Sequence, residues 1–161
     1  MFTVRVYLAV CAVILMLVPT QSFSQQPKRQ AEVDFIQIKI KRFIDYQQDF
    51  LGFCESRRND TTEYGIASDL NTVASQIYDY LDSTRTLLYI WDNLSCKPDR
   101  EKVRWIILDQ IRDYAKRIDI SIKFVNSRLS FTRIPAMANS GTQMKEDLRE
   151  IKTLFESIQF P

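Results

Sequence analysis

The 161-residue chain carries 22 Lys and Arg against 20 Asp and Glu, with no histidine, three glycines and three cysteines. Without histidine there is no Ser-His-Asp or Cys-His catalytic set, none of the common zinc motifs and no Glu-x-x-His di-metal signature. The near-balanced charge gives no electrostatic reason to expect nucleic acid as a partner, and three scattered glycines make no phosphate-cradling loop.

The first residues read as an export signal. Arg5 precedes an uncharged apolar run over 6–18, Pro19 breaks it, and Ser22 and Ser24 supply small residues just before a cut ahead of Gln25. An apolar run of about 13 residues falls short of the roughly 20 that cross a bilayer, which favours cleavage over a retained anchor. Cys11 sits inside that run, and Val10 is branched where a lipid-attachment box wants a small residue. The expected organisation is a signal peptide over 1–24, a disordered leader over 25–30 and a single domain over 31–161. Its destination is the periplasm or the cell exterior. Cys54 and Cys96 then remain in an oxidising compartment and form a candidate disulfide, with two buried free thiols as the other reading.

The apolar spacing predicts a first helix over 31–57, with Val33, Ile36, Ile40, Phe43, Phe50 and Cys54 on one face. Asp60 and Glu63 have capping-box spacing and open a second helix, whose stripe Leu70, Ala74, Ile77, Leu81, Leu88 and Trp91 runs to about 95. Asp82, Ser83 and Thr84 are three cap-type residues in succession. A fold-back there returns Cys96 towards Cys54, whereas an unbroken helix spans about 50 Å and holds the two cysteines apart. The third helix, expected over 98–134, keeps Val103, Ile107, Ile111, Ile118, Ile122, Val125 and Leu129 in phase, with Asp113–Arg117 and Asp119–Lys123 as ion pairs on its solvent side. Pro135 ends it, 135–141 reads as a loop, and Ser140 with Gln143 makes a second capping box. Met144, Leu148, Ile151, Phe155 and Ile158 mark the last helix. The fold expected is all-α, an antiparallel up-and-down bundle of four helices, or five if the second folds back.

Chemistry is sparse. Asp45 with Asp49, and Asp109 with Asp113, lie four apart on polar helix faces and read as solvated surface, so no enzyme, metal or cofactor is expected. Tyr78, Tyr80, Tyr89, Trp91 and Trp105, with Ile90 and Ile106, exceed what one stripe buries. Central helices that bury two faces explain them most simply, as they do Phe124 and Phe131. The second reading is a binding surface centred on Tyr89, Trp91 and Trp105. The functional expectation is a non-enzymatic exported protein acting through contacts with another protein, as adaptor, stress-related binder or inhibitor, without stable membrane insertion. The alternative is a eukaryotic secreted four-helix signalling ligand of the cytokine type. It rests on size, export, two cysteines and the sequons at Asn59 and Asn93, an analogy at the level of fold.

Overall fold

The computed structural model describes residues 29–94 and 97–160, which form four helices and no strand. They are α1 (Gln30–Ser56), α2 (Thr61–Asn93), α3 (Lys97–Leu129) and α4 (Pro135–Ser157). The signal segment over 1–24 lies outside the described residues. The leader expected over 25–30 overlaps the ordered chain at its last two positions. Gln30 opens α1, and Arg29 is buried with its guanidinium 4.1 Å from the Phe160 ring centroid.

Each helix follows the stripe that predicts it. In α1 the alternation Ile36, Ile38, Ile40 does not make a strand, because Ile36 and Ile40 enter the core while Ile38 turns to solvent. Asp60 caps α2, its carboxylate accepting from the N–H groups of Thr62 and Glu63 at 3.2 Å each. Glu63 does not close the box on Asp60. It reaches the α3–α4 connection instead, accepting from the Thr132 hydroxyl and the Arg133 N–H at 2.7 Å each.

Three expectations are corrected. First, α2 runs 33 residues without a break through Asp82, Ser83 and Thr84, so the second helix does not fold back into two. Thr84 is fully buried and its hydroxyl has no hydrogen-bond partner among the described residues, which shows core burial of the stripe outweighing the local capping tendency. Second, α3 stops at Leu129, not at 134. Third, α4 begins at Pro135, before the expected loop: proline suits a first helical turn, where its missing N–H has no helical partner to lose. Ser140 is therefore no cap, and its hydroxyl donates to Asp49 of α1 at 3.1 Å. Gly141 lies inside α4, where an added Cβ would collide with the Leu129 side chain. The absence of a side chain there lets α4 pass close to the end of α3.

The helices form a ring. α1 packs chiefly on α2 and α3 chiefly on α4, while the α2–α3 and α1–α4 seams close the circle and leave α1 and α3 on a diagonal. Along α1, Gln37 meets Arg85 at 2.6 Å and Cys54 meets the Tyr64 carbonyl at 4.0 Å, so contacts rise in number on one helix as they fall on the other. Ile36, Phe43, Phe50, Leu70, Ile77, Leu88, Ile111, Ile118, Leu148 and Phe155 fill the centre. Beyond α4, Ile158 and Phe160 fold inward over one end.

Candidate interaction surface

The orientation of α3 follows from its neighbours. Successive residues turn about 100° around a helix, so three arcs of contact leave a fourth facing water. Ile107, Ile111, Ile118 and Val125 point into the core. Tyr114 stacks on Tyr80 with ring centroids 4.6 Å apart, and Arg128 pairs with Asp69 at 2.8 Å, which fixes the flank against α2. Lys152 approaches Asp119 at 3.5 Å and Lys145 donates to Asn126 at 3.2 Å, which fixes the flank against α4. The remaining arc carries Trp105, Ile106, Asp109, Asp113, Lys116, Ile120 and Phe124.

Its large apolar side chains are left in water: Trp105 is 66 % exposed, Ile106 67 % and Ile120 66 %. Phe124 is also exposed, under the Arg128 guanidinium at 5.0 Å, and Phe131 stands out of the following turn. No residue of α4 is among the exposed large hydrophobics, so a bundle of this size is able to cover them. Isolated exposed apolar residues are ordinary; several on one helix face are informative. The expectation that broad stripes bury all the surplus aromatics therefore fails on α3.

The three aromatic candidates do not come together. Trp91 is 4 % exposed, packed edge-on against Phe160 at 4.6 Å, and is core. Tyr89 is 70 % exposed but lies on the row Arg85–Tyr89–Asp92, which flanks α1 through the Arg85–Gln37 and Asp92–Arg29 contacts. Trp105 alone belongs to the outward arc of α3. Ile106 was legible only as a surplus apolar residue beside the main seam, and nothing in the sequence marked Ile120 as a surface residue.

The acidic pairs separate into ordinary roles. Asp113 binds Arg117 at 2.6 Å, as Asp119 binds Lys123 at 2.9 Å, and Asp49 accepts from Ser140. Asp45 lines an open groove of about 670 Å³ with Asp34, Gln37, Ile38, Lys41 and Arg42; all six belong to α1, so no second element encloses a ligand. Among the described residues no group of three or more Cys, Asp or Glu is placed to hold a metal ion, and no helix is long and apolar enough to cross a membrane. Cys54 is an unbonded thiol whose pKa is pushed up by burial. The bend that a bond to Cys96 required does not occur, and Cys96 itself lies outside the described residues.

One polar cluster was not anticipated. Between α1 and α4, Asp147 receives Lys39 Nζ at 2.7 Å, Arg42 at 2.8 Å and the Tyr46 hydroxyl at 2.7 Å, and Lys39 also binds Glu150. Burial and the donated hydrogen bond to Asp147 push the Tyr46 hydroxyl well above its ordinary pKa of 10. Raised in the folded state, it adds stability that is complete below pH 10 and is lost as pH rises, because the unfolded tyrosine releases its proton first. Tyr46→Phe is expected to flatten the alkaline fall in stability, read from chemical denaturation between neutral and alkaline pH. An unchanged slope would mean that Tyr46 is solvated.

Comparison with protein-family models, curated proteins and solved structures finds no match.

Proposed function

We propose that this chain is an exported, antiparallel up-and-down helical bundle that works by binding another protein, without catalysis, through the outward face of α3. The observation that carries the reading is the row of large apolar side chains left in water on that one helix, Trp105, Ile106 and Ile120 foremost. Tryptophan and isoleucine on a rigid helix supply contact area at little cost in rotamer freedom, which is how the anchoring residues of interfaces work. The apolar run over 6–18 and the small residues before Gln25 support delivery to the periplasm or the exterior. The adaptor, stress-related binder and inhibitor roles all fit such a surface.

The test compares wild type with a Trp105→Ser, Ile120→Ser variant as bait for the envelope and secreted fraction of the source cell. Both residues are exposed, so the variant should melt like the wild type and lose one identified partner. Retention of every partner by a stably folded variant would overturn the reading that a separate protein binds this surface. Intact mass supplies the other half: a chain starting at Gln25 supports export by cleavage, and one retaining 1–24 opposes it. Hexose mass on Asn59, exposed in the α1–α2 turn, would instead favour the cytokine-like ligand.

A further inference from the structure

The outward face of α3 has an order to its side chains that matches itself in reverse. Trp105, Asp109, Lys116 and Ile120 are spaced four, seven and four residues apart, so that all four fall on one narrow stripe of the helix. Read in either direction the stripe runs apolar, charged, charged, apolar, and the two charges are opposite. Both outer residues are two-thirds exposed, and both charged residues are exposed. Neither Asp109 nor Lys116 makes an ion pair or a side-chain hydrogen bond among the described residues, although Asp113, Arg117, Asp119 and Lys123 around them are all paired.

We infer that the occupant of this face is a second copy of the chain, with the two α3 helices antiparallel about a two-fold axis level with Arg112 and Asp113. A two-fold interface presents the same patch twice, and each contact recurs with its partners exchanged. About that axis Asp109 meets Lys116 of the second copy and Lys116 meets its Asp109, while each Trp105 covers an Ile120 across the interface. Arg112 and Asp113 come opposite each other at the axis. A parallel alignment in register would set Asp109 against Asp109 and Lys116 against Lys116, so the charges select the antiparallel one. α4 has no exposed large hydrophobic, and those of α1 (Ile38, Ile44, Leu51) and α2 (Tyr64, Tyr89, Ile90) are spread around or along their helices, which leaves α3 as the helix whose exposed face is both an apolar row and self-complementary. Two single helix faces make a small interface, below about 1,200 Å² in all, which places the dimer in the weak, concentration-dependent class. This inference rests on the proposed use of the α3 face and names its partner.

Sedimentation velocity over a wide concentration range tests it. Wild type is expected to move from monomer to dimer, with the transition displaced to higher concentration by added salt. Asp109→Lys alone and Lys116→Asp alone each set like charges against each other twice, and each should weaken the dimer at least tenfold. The double variant, Asp109→Lys with Lys116→Asp, restores both pairs with the signs exchanged and should regain most of the wild-type affinity. Circular dichroism melts of the three variants confirm that exposed substitutions leave the fold intact. A wild type that stays monomeric throughout overturns the inference, as does a dimer whose affinity the single reversals leave alone or the double reversal fails to restore. If a separate partner is still lost in the Trp105→Ser, Ile120→Ser variant, the α3 surface survives with a different occupant; if none is lost and no dimer forms, the surface itself is wrong.

Discussion

Asp147→Ala is expected to destabilise the bundle by about 3–5 kcal/mol, more than any single surface change, because it strands a buried cation. Lys39 is 4 % exposed and Asp147 2 % exposed, at the contact of α1 with α4. In the wild type the carboxylate answers three donors: Lys39 at 2.7 Å, Arg42 at 2.8 Å and the Tyr46 hydroxyl at 2.7 Å. Alanine leaves the Tyr46 hydroxyl facing Arg42 alone and Lys39 facing only Glu150, itself more than half in solvent. The loss corresponds to a fall in melting temperature on the order of 10–20 °C for a domain of this length.

The same geometry sets a second expectation of opposite sign. Removing both charges, as in Lys39→Met with Asp147→Leu, fills similar volume and leaves no buried charge unpaired, although the Tyr46 hydroxyl loses its acceptor, so much of the lost stability should return. Thermal melts of the single and double variants decide between a desolvated pair and a solvated one. A single-variant loss under about 1 kcal/mol would mean that water reaches the site and that the pair is an ordinary surface contact.

That cluster shows where the sequence can be read and where it cannot. Helix positions were legible because an apolar stripe needs only its own period: Val103, Ile107, Ile111, Ile118, Ile122, Val125 and Leu129 are buried or half-buried along α3, and Met144, Leu148, Ile151 and Phe155 are core. Lys39, Tyr46 and Asp147 sit on the same inward rows, Asp147 three after Met144 and four before Ile151. A charge on an inward row looks like an interruption until the facing helix is known to supply its opposite. Nothing local pairs residue 39 with residue 147. The start of α4 failed for a related reason. Small residues after Pro135 resemble a loop, but Pro135 at the first turn and Gly141 against Leu129 are what close helix contact needs. The α3 face was half legible: the sequence has too many large apolar residues for one stripe, but only the packing shows that Trp91 is covered while Trp105 is left in water.

Phe160→Ala is expected to cost about 3 kcal/mol, although the residue lies beyond the last helix, because its ring closes one end of the core. Phe160 is buried between the Arg29 guanidinium, 4.1 Å from its centroid, and the Trp91 ring, 4.6 Å away at 63°. Arg100 lies 5.2 Å from the Trp91 ring on the other helix of the pair, and Arg29 reaches the Gln159 carbonyl and Asp92. Arginine, phenylalanine, tryptophan and arginine thus stack across residues from the start of α1, the chain beyond α4, the end of α2 and the start of α3. Truncation removes the aromatic contact and the surface on which Arg29 rests, a cation–π contact of about 0.5–2 kcal/mol. Water then reaches Trp91. In a Trp105→Phe background Trp91 is the sole tryptophan, so its emission should move to longer wavelength while the melting temperature falls. Phe160→Leu keeps the apolar volume without the aromatic face and should lose less stability, with the difference between the two variants reporting the closure of the core itself. If Trp91 emission and melting both stay put in Phe160→Ala, the end of the bundle is sealed by Ile158 and the α2–α3 contacts alone, and the Phe160 ring is dispensable to the fold.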